Sequence, residues 1–371
     1  MTYIHEKPDW PKFVWQSEAI ADSLGRVRHQ QGRLIGRMEA LGFDAQAEAV
    51  LSVLTEDVTK SSEIEGETLD KKQVRSSIAR KLGLDVGGLV AADRHVDGIV
   101  EMMLDATQKF SDPLTKDRLF GWHAALFPTG RSGMTKITVG DWRRETSGPM
   151  QVVSGAHGKE RVHFEAPAAG RVTEDMQDFL EWFNNDGRLD GVLKAAIAHF
   201  WFVTIHPFED GNGRIARAIA DMALARSEGI SRRFYSMSGQ IRQEREAYYA
   251  ALERAQKGDL DISNWVIWFL ECLGHAFTNA EEIFTSVLYK ARVWDWLKDQ
   301  SLNPRQREMI NRLLDGFEGK LTSSKWAKIT KTSSDTALRD ITDLVTRDIL
   351  AKQDAGGRST SYVLRFSGED R

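Results

Sequence analysis

Helical periodicity runs through most of this chain and constrains its fold more than any other feature of the sequence. From Gln16 to about Leu41, and again from Ala45 towards Gly66, apolar residues recur at intervals of three and four with polar residues between them. This spacing places the apolar side chains on one face of an α-helix. The same pattern returns at 90–110, 117–127, 173–184, 192–205, 212–226, 240–256 and 262–298. The sequence therefore predicts a mainly α-helical fold.

One long segment, residues 130–168, interrupts the helices and is rich in Gly, Pro, Ser and Thr. Within it, Met150–Ser154 and Arg161–Phe164 have the composition of two short strands. Residues 155–160 between them are typical of a hairpin loop. We therefore predict a β-hairpin at 150–164.

The composition changes again near Asn303. Three short amphipathic segments follow at 305–317, 323–329 and 334–350, then a glycine-rich turn at 355–358 and a strand-like segment at 361–366. Three helices and a β wing are typical of a winged helix-turn-helix. In such a module, 333–340 would be the recognition helix and 357–362 the wing.

The partner of this C-terminal module is left open between DNA and protein, because the fold alone does not decide it. Acidic side chains at 335, 340 and 343 would repel phosphate, whereas basic side chains at 328, 331, 339 and 358 would attract it.

Composition excludes several classes of protein. A net charge of −4 over 371 residues describes neither a polycation that coats nucleic acid nor a membrane-surface protein. The single cysteine, Cys272, lies in an apolar helical segment and forms neither an internal disulfide nor a cysteine-based zinc cluster, so we interpret it as core filling. We find neither an N-terminal targeting segment nor an apolar run long enough to span a membrane. We expect a cytoplasmic protein with no membrane partner.

The most informative segment is His206–Arg217, HPFEDGNGRIAR. Pro207 disfavours helix at the residue before it, and Asn212 and Gly213 suit the start of a new helix. Backbone amides at a helix start attract anions, and glycines allow phosphate to approach closely. Two arginines three residues apart share the adjacent helix face. The segment also contains a carboxylate suited to magnesium and a histidine able to take a proton near neutral pH. These parts indicate phosphoryl or nucleotidyl transfer rather than a polar turn.

This segment resembles the motif of the Fic family, His-Pro-Phe-x-Asp/Glu-Gly-Asn-Gly-Arg-x-x-Arg, with every specified position filled. The resemblance implies a Fic-type helical core that uses ATP with Mg²⁺ or Mn²⁺. It implies these roles: His206 the base, Phe208 a buried anchor, Asp210 the metal ligand, Gly211, Asn212 and Gly213 the anion hole, Arg214 for the β phosphate and Arg217 for the γ phosphate. Related Doc kinases have a lysine in place of the second glycine, so Gly213 argues against kinase chemistry.

A second resemblance lies at residues 61–66, SSEIEG, which is similar to the inhibitory motif Ser/Thr-x-x-x-Glu-Gly/Asn of the same family. It implies that Ser61 and Glu65 belong to an N-terminal inhibitory helix. Glu65 would end a helix, where the macrodipole disfavours an anion, so a facing cation would stabilise it. We expect Arg217 to be that cation.

Two further segments resemble parts of the family's substrate sites. The hairpin is similar to the flap on which a target segment docks, through Val152, Val153 and Ser154. The segment 245–253 resembles the helix that closes the base and ribose site, with Tyr249 and Gln256 as nucleotide contacts. Gln256 departs from the family's Asn. We interpret Tyr248 as a core residue.

Together these features predict three domains: an N-terminal helical domain at 1–85 that carries the inhibitory motif, a Fic catalytic core at 86–300 and a winged helix domain at 301–371. The predicted function is an autoinhibited protein adenylyltransferase that moves AMP from ATP to a Ser, Thr or Tyr hydroxyl of a target protein, including itself. Two alternatives stay open: an enzyme of this fold that removes AMP, and a nucleotide-sensing DNA-binding regulator. The oligomeric state is open, and a homodimer is one of the partners considered.

Overall fold

The computed structural model describes residues 2–40, 42–84, 89–145, 149–154, 161–185, 187, 189–314, 316–317, 319–353 and 360–366, without the side chains of 43, 44, 282 and 283. The chain divides into two compact units, Met1–Phe284 and Thr285–Arg371. Helices make up most of both units, so the predicted mainly α-helical fold is confirmed. Within the described ranges, no helix is both long and apolar enough to cross a bilayer.

The first unit is built from helices joined by short loops, apart from the long segment between Leu126 and Val172. They are α1 (Ser17–Glu39), α2 (Phe43–Ile64), α3 (Lys71–Leu82), α4 (Arg94–Gln108), α5 (Lys116–Leu126), α6 (Val172–Asn184), α7 (Gly191–Ile205), α8 (Asn212–Glu228), α9 (Met237–Gln243), α10 (Arg245–Gln256) and α11 (Ser263–Trp296), whose last residues belong to the second unit. Side chains of Asp70, Asp93 and Asp190 accept hydrogen bonds from first-turn amides of α3, α4 and α7. These caps explain where the three helices begin.

Helix α7 lies at the centre of the first unit. It is apolar on nearly every side and almost all of its residues are buried. It packs most extensively against α8 and also contacts α6. A helix that is apolar all round belongs in a core, and this burial fixes the end of α7, where the candidate site begins.

Two small hairpins interrupt the helices. The strands β1 (Arg131–Ser132) and β2 (Thr135–Lys136) pair with each other, as do β3 (Gln151–Ser154) and β4 (Arg161–Glu165). The second hairpin is the one predicted from sequence, although its loop at 155–160 lies outside the described residues. The first was not predicted, since two-residue strands carry almost no alternation of polar and apolar residues.

Two further differences from the sequence prediction have clear causes. Helix α3 was not predicted because its apolar face is narrow, with Val74 and Ile78 at its buried centre. The segment 240–256, predicted as one helix, lies in two, and the break is at Glu244, where φ is −100° and ψ is 28°.

The second unit has a core of its own. Beyond α11 it contains α12 (Pro304–Leu314), α13 (Ser323–Thr330), α14 (Ser334–Thr346) and a hairpin of β5 (Leu350–Gln353) with β6 (Ser361–Leu364). Trp326, Ile341 and Leu344 are fully buried in this core. The predicted helix to residue 350 is wrong at its end: it stops at Thr346, and Leu350 begins a strand. Residues 357–359 of the predicted wing lie outside the described residues, and the winged helix assignment stays a prediction.

Candidate active site

His206 stands at the junction of α7 and α8 and is held from two directions. Its backbone adopts the left-handed conformation, with φ 53° and ψ 56°, and its N–H donates to the Phe202 carbonyl at 3.0 Å. Its Nδ1 lies 3.1 Å from the Val203 carbonyl. A carbonyl only accepts, so Nδ1 carries the proton and Nε2 is free to accept one. Burial lowers the pKa of His206, which keeps the ring neutral at pH 7.

The loop after His206 is fixed by buried side chains. The fully buried Phe208 stacks on His123, with ring centroids 4.2 Å apart. The side chain of Asn212 bonds both polar backbone groups of Phe208, accepting from its N–H at 2.9 Å and donating to its carbonyl at 2.8 Å. Arg143 donates from Nε to the His206 carbonyl at 2.7 Å. The loop therefore keeps its shape without a ligand.

His123 gives this loop a defined hydrogen-bond pattern. Gly140 N–H donates to its Nδ1 at 3.2 Å, so Nε2 carries the proton and donates to the Asp210 carbonyl, also at 3.2 Å. Burial lowers the pKa of His123 to about 4, which keeps this pattern at neutral pH.

Helix α8 begins with an anion site. Gly211 precedes it with φ 82°, a conformation that favours glycine. The first amides of a helix have no intrahelical acceptor, and the helix dipole adds positive potential there. A Cβ added at Gly213 would lie 2.2 Å from Oε1 of Glu65. The carboxylate of Glu65 therefore rests directly against the first turn of α8.

Glu65 also pairs with the predicted arginine. Its Oε1 lies 2.8 Å from Nη2 of Arg217, whose side chain is only 2% exposed. Ser61 accepts two further bonds from Arg217, one at Oγ from Nε and one at its carbonyl from Nη2, both at 2.9 Å. The predicted Glu65–Arg217 contact is present, and Ser61 completes it.

Arg214 meets a second carboxylate that sequence analysis did not single out. Its Nη1 lies 2.9 Å from Oε2 of Glu67, and its guanidinium covers the Phe127 ring at 5.1 Å. The other carboxylate oxygen of Glu67 is bonded to Nε2 of His95 on α4. Both arginines of the segment 206–217 thus face acidic residues that follow α2.

Asp210 is the carboxylate nearest to these groups in sequence. Its Oδ1 accepts from the Gly211 N–H at 2.6 Å, and its Oδ2 accepts from the hydroxyl of Ser132 on β1. Within the described ranges there is no cluster of three or more His, Cys, Asp or Glu side chains able to hold a metal ion. A site with one carboxylate suits magnesium that binds mainly through phosphates and water.

The flap hairpin lies beside α10 and is tied to it. Glu253 of α10 accepts from Arg161 at 3.0 Å and from His163 at 2.7 Å, both on β4. Hydrogen bonds from Lys257 and His163 lower the pKa of Glu253 to about 2. Among the described strands β3 pairs only with β4, and Val153 is 48% exposed. Val152 and Ser154 flank it on the same strand.

The remaining predicted nucleotide contacts lie on α10. The Tyr249 hydroxyl lies 3.4 Å from the Ile64 carbonyl, and Arg245 donates to that carbonyl at 3.0 Å. Gln256 is 5% exposed and donates to the Thr204 hydroxyl at 3.3 Å. Tyr248 is buried and bonds His199 at 2.9 Å. In this state Tyr249 therefore holds the end of α2, and Gln256 is bonded inside the core.

Sequence reasoning missed four residues of this site: His95, His123, Ser132 and Arg143. They lie far along the chain from residues 206–217, and each makes its contact through the tertiary fold. Glu67 was also missed, although its position two residues after Glu65 was a signal for it.

Comparison with known proteins finds family matches for two parts of the chain. The profile of the Fic/DOC family matches residues 113–224, and that of a domain of unknown function, DUF4172, matches residues 3–84. The protein adenylyltransferase fic-1 of Caenorhabditis elegans is 38% identical over 91 residues, which cover 24% of this chain and 17% of that protein. The protein adenylyltransferase Fic of Drosophila willistoni is 29% identical over 208 residues, 53% of this chain and 36% of that protein. The similarity thus spans well under half the length of either relative.

One solved structure matches nearly the whole chain. A Fic family protein from Desulfovibrio desulfuricans superposes with a TM-score of 0.55 and 20% identity, covering 96% of this chain and 98% of that one. Identity at this level shows the fold alone, and it supports the predicted Fic-type core. Residues 113–224 therefore match the Fic/DOC family, and the chain shares the mainly helical fold of a solved Fic family protein.

Proposed function

We propose that this protein is an autoinhibited protein adenylyltransferase, which transfers AMP from ATP to a hydroxyl side chain of a target protein and of itself. The observation that carries the proposal is the convergence of three groups at the α7–α8 junction. They are an unprotonated Nε2 on His206, the anion site at the start of α8, and Arg214 and Arg217 beside it. Similarity to named adenylyltransferases supports the same chemistry.

The proposed reaction is an in-line displacement at the α-phosphorus of ATP. His206 takes the hydroxyl proton of the target at Nε2 as the oxygen attacks the α-phosphorus. The bond from the α-phosphorus to the bridging oxygen breaks, and pyrophosphate leaves with the bonding electrons. The first amides of α8 hold phosphate oxygens, and Arg214 and Arg217 neutralise the β and γ phosphates. General-base catalysis of this kind contributes roughly 10²- to 10⁴-fold to a rate.

The inhibitory role of Glu65 follows from its position. Its carboxylate rests against Gly213 and pairs with Arg217, so it holds the place and the cation that the terminal phosphate of ATP needs. A phosphate placed there would be repelled by the negative charge of the Glu65 carboxylate. Nucleotide bound in this state would be displaced from the in-line geometry, and a misplacement of about 1 Å costs about 100-fold in rate.

The residues around Asp210 fit a divalent cation bound together with ATP. Mg²⁺ or Mn²⁺ would be held by the Asp210 carboxylate, which Ser132 orients by donating to it. Such an ion neutralises phosphate charge as pyrophosphate leaves.

The flap supplies the proposed docking place for the target. The outer edge of β3, with Val152, Val153 and Ser154, offers main-chain groups on which an extended segment can add as a strand. Contacts of this kind hold the target hydroxyl near His206 while they read little of its sequence. Tyr249 would face the nucleotide base once α2 has moved, since its present bond is to the end of that helix. Gln256 is the weaker candidate, because its amide is bonded to Thr204.

The three-domain division remains part of the proposal. Residues 1–85 would carry the brake, 86–300 the catalytic core, and 301–371 a winged helix domain for a protein or DNA partner. Ion pairs inside the second unit affect how strongly its acidic residues would oppose a DNA partner. Asp340 is bonded to Arg305, and Asp343 to Arg347, so two of the three acidic residues that oppose phosphate are neutralised.

The test is transfer of radiolabelled AMP from ATP to the protein itself, with and without EDTA. The Glu65→Gly variant should become labelled in the presence of magnesium and stay unlabelled in EDTA. Labelling that persists in EDTA would remove Asp210 as a metal ligand. A folded Glu65→Gly protein that labels neither itself nor any added protein, while it binds ATP, would contradict the proposed activity.

A further inference from the structure

We propose that Glu67 is a second inhibitory carboxylate, which holds Arg214 away from nucleotide and is itself held by the imidazolium of His95. The inference rests on the proposed nucleotide site and adds a form of regulation to it. One lock is Glu65 on Arg217. The other, Glu67 on Arg214, opens as pH rises.

The contact between Glu67 and Arg214 is close and well shielded. Nη1 of Arg214 lies 2.9 Å from Oε2 of Glu67, and the arginine side chain is only 6% exposed. Glu67 itself is positioned by its backbone, whose N–H donates to the Ser62 carbonyl at 3.0 Å. Gly66 has φ 84°, which lets the chain turn there. Glu65 and Glu67 thus face adjacent arginines from one short segment at the end of α2.

The contacts of the two ring nitrogens of His95 make the position of Glu67 depend on pH. Nδ1 lies 3.1 Å from the Leu126 carbonyl, and Nε2 contacts the Glu67 carboxylate. Both partners are acceptors, and a neutral imidazole has one N–H, so only the protonated ring can donate to both. The geometry therefore describes an imidazolium bonded to a carboxylate.

Several groups around His95 and Glu67 favour or oppose their charged forms, and the net effect favours both charges. The bond between them raises the pKa of His95 and lowers the pKa of Glu67, while burial opposes both shifts. Arg214, from α8, disfavours the imidazolium and favours the carboxylate, and Asp210, from the preceding loop, disfavours the carboxylate. His95 also lies in the first turn of α4, where the helix dipole disfavours a cation. The bond to Glu67 outweighs these opposing effects, so the pKa of His95 is raised.

The direction of the switch follows from these shifts. Below the raised pKa of His95, the imidazolium holds Glu67 in place and Arg214 stays paired. As pH rises through that pKa, His95 loses a proton and keeps one donor for two acceptors. Glu67 is then held less firmly, and ATP competes better for Arg214. Glu65 is bonded instead by Arg217, and an arginine stays charged throughout this range.

The experiment measures the dissociation constant of Mg²⁺–ATP by calorimetry between pH 6.5 and 8.5, on the full chain. The wild type should bind ATP more tightly as pH rises. Glu67→Gln should bind about tenfold more tightly than wild type at pH 6.5, since a hydrogen bond to a charged group is worth about that factor or more. Its remaining pH dependence is that of ATP itself. His95→Gln should flatten the wild-type dependence to the same level.

Glu63→Gln is the matched control. Glu63 lies in the last turn of α2, four residues before Glu67. Its carboxylate pairs with Lys60 and Arg242 rather than with Arg214 or Arg217. It should bind ATP as the wild type does at every pH. Thermal unfolding of all four proteins checks that each is folded.

Two results would overturn the inference: equal ATP affinity of Glu67→Gln and wild type at pH 6.5, or parallel pH dependence in wild type, Glu67→Gln and His95→Gln. Because binding is measured directly, these outcomes are separate from the proposed catalysis. Labelling by Glu65→Gly with no effect of Glu67→Gln would retain the adenylyltransferase and reject the second lock. Tighter binding by Glu67→Gln with only the pH dependence of ATP itself, together with no AMP transfer by folded Glu65→Gly, would support the lock and reject the activity.

Discussion

At the scale of single residues, local structure orients His206, the proposed base. Pro207 ends α7, the left-handed backbone turns the chain, and the Val203 carbonyl fixes which nitrogen carries the proton. None of these three features requires bound nucleotide. The proposed base is therefore oriented before substrate arrives, and its loss should affect chemistry far more than binding.

Replacing His206 by Ala in the Glu65→Gly background should reduce AMP transfer by about 10²- to 10⁴-fold, the usual range for a general base. ATP affinity should change little, because the imidazole has no phosphate-binding role in the proposed reaction. Labelled-AMP transfer measures the first quantity and calorimetry the second. Labelling at the rate of the parent variant would reject His206 as the base.

The pH profile of the same chemistry should reflect the lowered pKa of His206. A base acts in its neutral form, and a pKa below the ordinary value of about 6.5 keeps the ring neutral at and above that pH. The rate of the Glu65→Gly, Glu67→Gln double variant should therefore be level from pH 8 to about 6.5 and fall at lower pH. Both carboxylates are removed so that neither proposed inhibitory contact contributes to the profile. A rate that already falls between pH 8 and 7 would show that burial does not set the pKa of His206.

At the scale of elements, α2 is the proposed brake, and its last turn is bound at several points. Arg217 bonds the Ser61 side chain and carbonyl, and Arg245 bonds the Ile64 carbonyl. Helix ends leave carbonyls without partners, so these arginines also cap α2. Movement of Glu65 together with this turn thus requires the bonds from Arg217 and Arg245 to break.

Ser61→Ala should partly release the brake. It removes the hydroxyl that accepts from Nε of Arg217 at 2.9 Å inside the protein. Bonds to charged groups contribute about 1.5–3 kcal/mol, so basal self-labelling should rise by about tenfold, though less than in Glu65→Gly. Ser62→Ala is the control, because its buried hydroxyl has no hydrogen-bond partner within the described part of the chain. Equal labelling by both variants would exclude a role for Ser61.

The same elements show what the sequence could and could not predict. Helical periodicity predicted most of the core helices, and the HPFEDGNGRIAR segment predicted the α7–α8 junction. The contact of Glu65 with Arg217 was predicted from the resemblance of SSEIEG to an inhibitory motif. The β1–β2 hairpin escaped prediction because two-residue strands have no readable period. His123 and Arg143 escaped for another reason. They contact the loop from α5 and from the segment after β2, and pairing at such distance depends on tertiary packing that local patterns do not encode.

At the scale of the whole molecule, the two units have separate cores. The second core includes Val293 and Leu297 at and just beyond the end of α11, together with Trp326. A deletion that starts at residue 304 would leave the first two without their partners. Truncation after Phe284 follows the division between the units and removes that core as a set.

A chain of residues 1–284 carrying Glu65→Gly should keep ATP binding and self-labelling within a few-fold of the full-length variant, because every proposed site residue lies in the first unit. Labelling of other proteins is the quantity that the second unit should affect. Circular dichroism establishes that the truncated chain is folded. A folded but inactive truncation would place the second unit within the catalytic machinery.

The most direct test of the account compares AMP transfer in three full-length proteins: wild type, Glu65→Gly and Glu65→Gly with Arg217→Ala. The account predicts weak labelling by wild type and a rise of about 100-fold for Glu65→Gly, since Arg217 is then free to place ATP in line with the hydroxyl. The added Arg217→Ala should cancel that rise. Labelling by a folded Glu65→Gly protein at or below the wild-type level would contradict the account, and a fall below wild type would point to Glu65 as a group that works in AMP removal.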